Sequence, residues 1–269
     1  SYPPRHFQTL CAGWGAQMIR NGTDDIIYAV ANGGRGFYSY SISGNTWNTN
    51  LATRPGSLGI GAQMVRNSAD DKIYLSTADN FYSYSISGDT WNTLAKIPTP
   101  TNVGAKMVFN SSNNTIYLIP GGGGTNLYSY STVSGNTWNA SAMPVGVSWG
   151  GQTIYNGIDN TSYVVTGGGV SFYSYSLGNS WAPLRGLLSS ASLEASMVRN
   201  GADDNIYLVT GDAVNGSFSR YSISTNIWTP LAVTPDISGY GTMSVIHGST
   251  NTVGGLQTIS TAIPVDYSG

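Results

Sequence analysis

The sequence predicts an all-β fold: a six-bladed β-propeller with four-stranded blades, its last blade closed by the N-terminal strand. Three observations carry that reading. A phrase rich in tyrosine, serine and tryptophan occurs five times: FYSYSISGNTWNTN from Phe37, FYSYSISGDTWNTL from Phe81, LYSYSTVSGNTWNA from Leu127, FYSYSLGNSWAPL from Phe172 and FSRYSISTNIWTPL from Phe218. The unit around it recurs every 43 to 47 residues, the length of one four-stranded blade. Polarity comes from Gly, Ser, Asn, Thr and Tyr, while charged residues make up only 9% of the 269. Turns and strands favour that composition and helices do not.

Each unit reads as four strands. The first is GAQMVRN and its relatives, anchored at Met18, Met64, Met107, Thr153 and Met197, with Ser244 in an eroded sixth copy. A tight turn follows at Asn21-Gly22, Asp70-Asp71 and Asn200-Gly201, the chemistry a hairpin needs. The second strand is the I-Y-L-V segment. The third is the repeated phrase, which sets Tyr38, Tyr40 and Ile42 on one face and Phe37, Ser39 and Ser41 on the other. A large-residue face opposite a small one lets adjacent blades interlock. After a Ser-Gly-Asn turn comes the fourth strand, marked by Trp47, Trp91, Trp138, Trp181 and Trp228.

The circle closes by count. From Ser244 through the C-terminus and on from Ser1 to Met18 is 43 residues, one more period. HFQTL, with Phe7 at the tryptophan position, matches the fourth-strand phrase TWNTL. The single domain 1–269 therefore divides near 11–58, 59–102, 103–147, 148–192, 193–238, and 239–269 joined by 1–10. Closure leaves few exposed strand edges.

Composition also limits function. A net charge of −2 offers no basic field for nucleic acid or an anionic membrane. No apolar run approaches the roughly 18–20 residues of a membrane helix. The chain opens at Ser1 without a charged-then-apolar leader, so a signal peptide is either already removed or was never present. One cysteine, Cys11, rules out an internal disulfide and leaves the redox compartment open.

The glycine doublets Gly33-Gly34, Gly121-Gly122 and Gly167-Gly168 end second strands. The pairs Tyr40/Trp47, Tyr84/Trp91 and Tyr221/Trp228 each span six intervening residues. Together these features resemble the Kelch repeat over nearly the whole chain. STADN lacks the doublet, TGDA has one glycine, and the tyrosine–tryptophan gap is seven in unit three and five in unit four. The resemblance implies a propeller. Kelch-like propellers act as enzymes, lectins and interaction scaffolds, so it leaves activity open.

A Kelch-like copper oxidase would need two histidine ligands, tyrosine ligands and a cysteine linked to tyrosine. The two histidines, His6 and His247, fall on the outermost and innermost strands of one blade, roughly 14 Å apart at about 4.8 Å per strand. That separation argues against copper, and the scarcity of histidine argues against a Ser-His-Asp triad. No G-x-S-x-G elbow or phosphate loop is present. The acidic pairs Asp24-Asp25, Asp70-Asp71 and Asp203-Asp204 invite a calcium reading, but Asn113-Asn114 and Asp159-Asn160 at the same place keep the turn and drop charge. They read instead as hairpin turns with Arg20, Arg66 and Arg199 nearby. Cys11 reads as a small packed residue. The expectation is no metal, no cofactor, no catalytic residue and no enzyme.

Positions that differ between repeats are free for a specific task. The Asp-Asp and Ser-Gly-Asn turns share one face and hardly vary. The opposite face collects the second-to-third-strand loops and the interblade crossovers, which do. The residue before the innermost strand runs Trp14, Ile60, Val103, Trp149, Leu193, Tyr240. These aromatics either plug the channel or form a platform for a sugar ring or a partner side chain. Binding candidates are Trp14, Trp149, Tyr240, Arg35, Asn126 and Asp212. Glycosylation sequons stand at Asn21, Asn110, Asn113, Asn139, Asn160 and Asn215. The expected function is a non-enzymatic, secreted or cell-surface binding or scaffold propeller, self-assembly included, whose partner is a protein, a second copy of itself or a glycan. A lectin is the alternative and a carbohydrate-active enzyme a lower one.

Overall fold

The computed structural model describes residues 15–20, 25–31, 34–67, 70–176, 180–192, 195–199, 203–211 and 217–232. These form five four-stranded antiparallel sheets, each in sequence order from the innermost strand outward. Blade one holds β1 (Gln17–Arg20), β2 (Ile26–Val30), β3 (Phe37–Ser41) and β4 (Thr46–Asn48). Blade two holds β5 (Gln63–Asn67), β6 (Lys72–Thr77), β7 (Asn80–Ser85) and β8 (Thr90–Thr93). Blade three holds β9 (Lys106–Asn110), β10 (Thr115–Ile119), β11 (Asn126–Ser131) and β12 (Trp138–Ala142). Blade four holds β13 (Gln152–Asn156), β14 (Thr161–Val165), β15 (Phe172–Ser176) and β16 (Ser180–Pro183). Blade five holds β17 (Ser196–Arg199), β18 (Asn205–Val209), β19 (Phe218–Ser222) and β20 (Ile227–Pro230). Innermost strands adjoin in the order β1, β5, β9, β13, β17.

The structure thus shows five blades where the count of repeats predicts six. The segments assigned to the sixth, 239–269 and 1–10, lie outside the described residues, as do His6, His247 and Cys11. Among the described residues, β17 and β1 make no contact.

Register is more regular than sequence spacing. Tyr40 faces Trp47, Tyr84 faces Trp91, Tyr130 faces Trp138, Tyr175 faces Trp181 and Tyr221 faces Trp228. The longer gap of unit three is absorbed in the turn between β11 and β12. Hairpins between the first two strands rest on residues able to take a left-handed backbone: Asp71, Asn114 and Asn160 have φ of 55°, 51° and 53°. Blade two reaches the same conformation without glycine where its second strand ends. Ala78 has φ of 50° at the position of Gly121, Gly167 and Gly211. Glycine is obligatory elsewhere: Gly104 has φ of 77°, and a Cβ there would collide with the Ser148 carbonyl of the next crossover.

The core lies in the seams between blades. Phe37 meets the ring of Trp91 at 5.0 Å edge-on, Phe81 meets Trp138 at 4.8 Å and Phe172 meets Trp228 at 5.2 Å. The phenylalanine face of each phrase therefore receives the tyrosine–tryptophan face of the next, which is the interlocking expected from its alternation.

Candidate functional site

The acidic turns are part of the architecture. Asp25 accepts from the Ser43 amide at 2.9 Å and the Ser43 hydroxyl at 2.5 Å. Asp71 accepts from the Ser87 amide at 2.9 Å, and Asp204 from the Ser224 amide at 2.9 Å. These bonds, the serine hydroxyl first, hold all three carboxyls below the usual aspartate range, with smaller help from Arg20, Arg66 and Arg199. The residue before the paired position caps the hairpin in three blades: Asp70 takes the Tyr74 hydroxyl at 2.6 Å, Asp159 that of Tyr163 at 2.8 Å and Asp203 that of Tyr207 at 3.2 Å. No group of three or more His, Cys, Asp or Glu side chains converges among the described residues.

The crossover face is different. Trp149 precedes β13 and is 43% exposed, and Ile60, before β5, is 46% exposed. Val170, in the β14–β15 loop, and Leu188, in the crossover to β17, are exposed on the same side. Val103 is half-buried. Arg35 and Asn126 are exposed there as well, Asn126 donating to the Tyr128 hydroxyl at 3.3 Å. Trp14, Tyr240 and Asp212 lie outside the described residues, so the expected aromatic cluster is represented by Trp149 alone. The backbone that carries Trp149 is fixed on both sides: the Ser148 amide donates to Thr166 O and the Gly151 amide to Ser148 O, each at 2.9 Å.

Among the sequons, Asn139 is exposed on β12 and Asn113 is exposed in a hairpin. Asn160 is half-buried, accepting from the Tyr155 hydroxyl at 2.7 Å. Asn110 is buried, its carbonyl taking the Ser112 amide and the Tyr155 hydroxyl. Asn21 and Asn215 lie outside the described residues.

Two charged residues escape sequence reasoning. Arg54 is fully buried where the other crossovers place Ile97, Met143 and Leu187, also buried. Its guanidinium donates to the carbonyls of Gly56, Gly34 and Ala31, tying the first crossover to the Arg35 loop. Lys106 takes the place of Gln17, Gln63 and Gln152 on an innermost strand. It lines a small hollow with room for about one water. That cavity lies in the seam between blades three and four, beside Thr153, Tyr175 and Trp181. Here Leu127 replaces the phenylalanine and Thr153 the methionine of the other seams, so the filling is smaller. Burial of the Lys106 amine pushes its pKa down to about 8, and Trp181 Nε1 and Thr153 Oγ1 are buried without partners.

No family model and no curated relative matches the chain. Solved structures do resemble it. A structure titled streptogramin B lyase is 14% identical with a TM-score of 0.62, covering 83% of this chain and 71% of its own. Virginiamycin B lyase from Staphylococcus aureus is 10% identical with a TM-score of 0.62, over 83% and 72%. A nidogen/laminin complex contributes a chain 11% identical with a TM-score of 0.57, over 80% and 79%. At these identities the likeness establishes the fold, a β-propeller, and nothing finer. It also corrects one expectation. Two of these propellers are lyases by title, so the fold supports catalysis and gives no ground for excluding an enzyme.

Proposed function

We propose that this chain is a Kelch-like binding propeller, acting outside the cell or at its surface, that engages a protein partner on its crossover face. The carrying observation is Trp149, an aromatic side chain 43% exposed on a backbone locked by two hydrogen bonds. Ile60, Val170 and Leu188 extend apolar surface around it. Rigid exposed aromatics of this kind anchor interfaces at low entropic cost. The turn face opposite offers instead the Asp–Ser bonds of blades one, two and five, which tie turn to turn within each of those blades. The nidogen propeller's place in a complex with laminin supports a protein rather than a glycan as partner.

The test is selection from a displayed peptide library, run in parallel with a glycan array, on the chain and on its Trp149→Ala variant. Peptide binding that disappears in the variant while thermal unfolding stays unchanged supports this reading. Peptide binding that survives Trp149→Ala overturns it. Binding confined to glycans moves the assignment to the lectin alternative, for which a tryptophan face is equally suited.

A further inference from the structure

The seam between blades three and four departs from the other described seams at several positions at once. On β14, Ser162 stands where the other second strands carry Ile27, Ile73, Ile116 and Ile206, each opposite the tyrosine of its repeated phrase. Thr153 on β13 replaces methionine, and Leu127 on β11 replaces phenylalanine. All three changes remove bulk. The fourth, Lys106 on β9 in place of glutamine, adds a charge. These four residues come from four strands of two blades, and all of them line the same hollow.

The tryptophan of this seam is also exceptional. Elsewhere the indole N–H donates to a carbonyl of the preceding crossover: Trp91 to Ala52 at 3.0 Å, Trp138 to Ala95 at 3.1 Å and Trp228 to Arg185 at 3.0 Å. The amides of the same three residues donate to Asp89, Asn136 and Asn226. Trp181 lines the hollow, and its Nε1 is buried without a protein acceptor.

The chemistry of the lining is one-sided. An ammonium and an indole N–H can only donate, and no carboxylate lines the hollow to accept from them. Burying a cation without an opposite charge is costly, and an anion beside it offsets that cost. Water could accept from both groups, but it would leave the charge uncompensated. The room is that of a single small particle, so a polyatomic oxyanion such as sulfate does not fit and a single-atom anion does.

We propose that this hollow is a halide site whose occupant is chloride, held by the Lys106 ammonium and the Trp181 N–H. Thr153, Ser162 and Leu127 make the room for it. The ion joins the innermost strand of blade three to the outermost strand of blade four, across the seam with the smallest apolar filling. It is independent of what the crossover face binds.

The line width of the chloride NMR signal reads binding directly. Titrating the full chain with sodium chloride should give saturable broadening that gluconate, too large for the hollow, does not compete away. Lys106→Gln restores the residue of blades one, two and four and should weaken binding by about tenfold or more. Trp181→Phe removes the N–H and keeps an aromatic ring, and should weaken it by about fivefold. Thr153→Met restores the bulk of the other seams and should abolish binding, whereas Thr153→Val keeps the room and should bind as the parent does. At equal ionic strength, chloride should raise the melting temperature above that in gluconate for the parent but not for Lys106→Gln. Absence of saturable broadening overturns the proposal, as does broadening unchanged in either Lys106→Gln or Thr153→Met. A parent melt indifferent to chloride also overturns it, and assigns the hollow to a single water. If Lys106→Gln does not fold, Trp181→Phe takes its place in both measurements, and unchanged binding there overturns the proposal too.

Discussion

The indole N–H of Trp91 donates to the carbonyl of Ala52 at 3.0 Å, across the seam between two blades. Both groups are backbone or aromatic, so the link tolerates surface change provided the turn acceptor is kept. Asp89 supplies that acceptor, taking the Ala52 amide and the Tyr84 hydroxyl at 2.8 Å each. Asn136 and Asn226 do the same work uncharged. Asp89→Asn is therefore expected to leave stability within about 0.5 kcal/mol. Asp89→Gly should lose about 1–3 kcal/mol, because two donors lose their acceptor. Urea unfolding of the two variants checks the contrast.

The tryptophans should grade by burial. Trp228→Ala removes a 4% exposed ring packed on Phe172 and is expected to cost about 3–5 kcal/mol. Trp91, half-buried, should cost less, and Trp47, 43% exposed, least of the three. Equal losses from Trp228→Ala and Trp47→Ala in denaturant titrations would contradict the seam as the seat of the core.

Much of the fold is legible because propeller units repeat the same contacts. The alternation in FYSYS foretells which side meets which neighbour, and Trp47 to Trp228 mark every described outer strand. The sequence does not reveal that Tyr130 and Trp138, with seven residues between them, share the register of Tyr84 and Trp91. Turn length and strand register are independent variables, and only the pairing fixes them. The hollow at Lys106 is hidden for a related reason. Lys106, Leu127 and Thr153 each differ visibly from the other repeats, but they lie on three strands of two blades, and only the packing shows that they border one cavity. Arg54 is hidden because a lone arginine in a crossover reads as solvated until its carbonyl partners are seen. Half of the expected site, Trp14, Tyr240 and Asp212, lies beyond the described residues.

Ala78 offers a stabilising change. Its φ of 50° crowds Cβ against the following carbonyl, a strain that glycine lacks. Ala78→Gly is expected to raise stability by about 0.5–1 kcal/mol despite the greater freedom of the unfolded chain. Gly121→Ala at the equivalent position should destabilise, since its Cβ would collide with the Val103 carbonyl. Differential scanning calorimetry of both variants should give melting temperatures that move in opposite directions.

Acid should act through the serine-bound aspartates. Asp25, Asp71 and Asp204 titrate below the ordinary 3.8 in the fold. Their contribution is present above that value and is lost as pH falls through the lowered folded range. Asp71 and Asp204 are exposed and Asp25 is half-buried, so the effect is small and screened. Replacing all three with Asn should flatten the decline of melting temperature below about pH 4. An unchanged acid limb would assign it to other carboxyls.

Alkali should act on Lys106 with the opposite sign. Its ordinary pKa of 10.5 falls to about 8 because burial disfavours the ammonium. Below 8 the fold carries the cost of that desolvated charge. From 8 towards 10.5 the unfolded chain holds the proton more than the folded one does, so stability rises with pH. The tyrosines Tyr74, Tyr84 and Tyr163, raised chiefly by burial, oppose this once unfolded phenols ionise near 10. The measurable window therefore closes at about pH 9.5. Lys106→Gln restores the residue of blades one, two and four and should abolish the rise between pH 8 and 9.5 in urea titrations. Thr153→Val keeps the shape, removes the partnerless hydroxyl of the same seam, and should add about 1 kcal/mol at every pH. A pH slope that persists in Lys106→Gln would place the titrating group elsewhere, and the seam between blades three and four would then owe its weakness to packing alone.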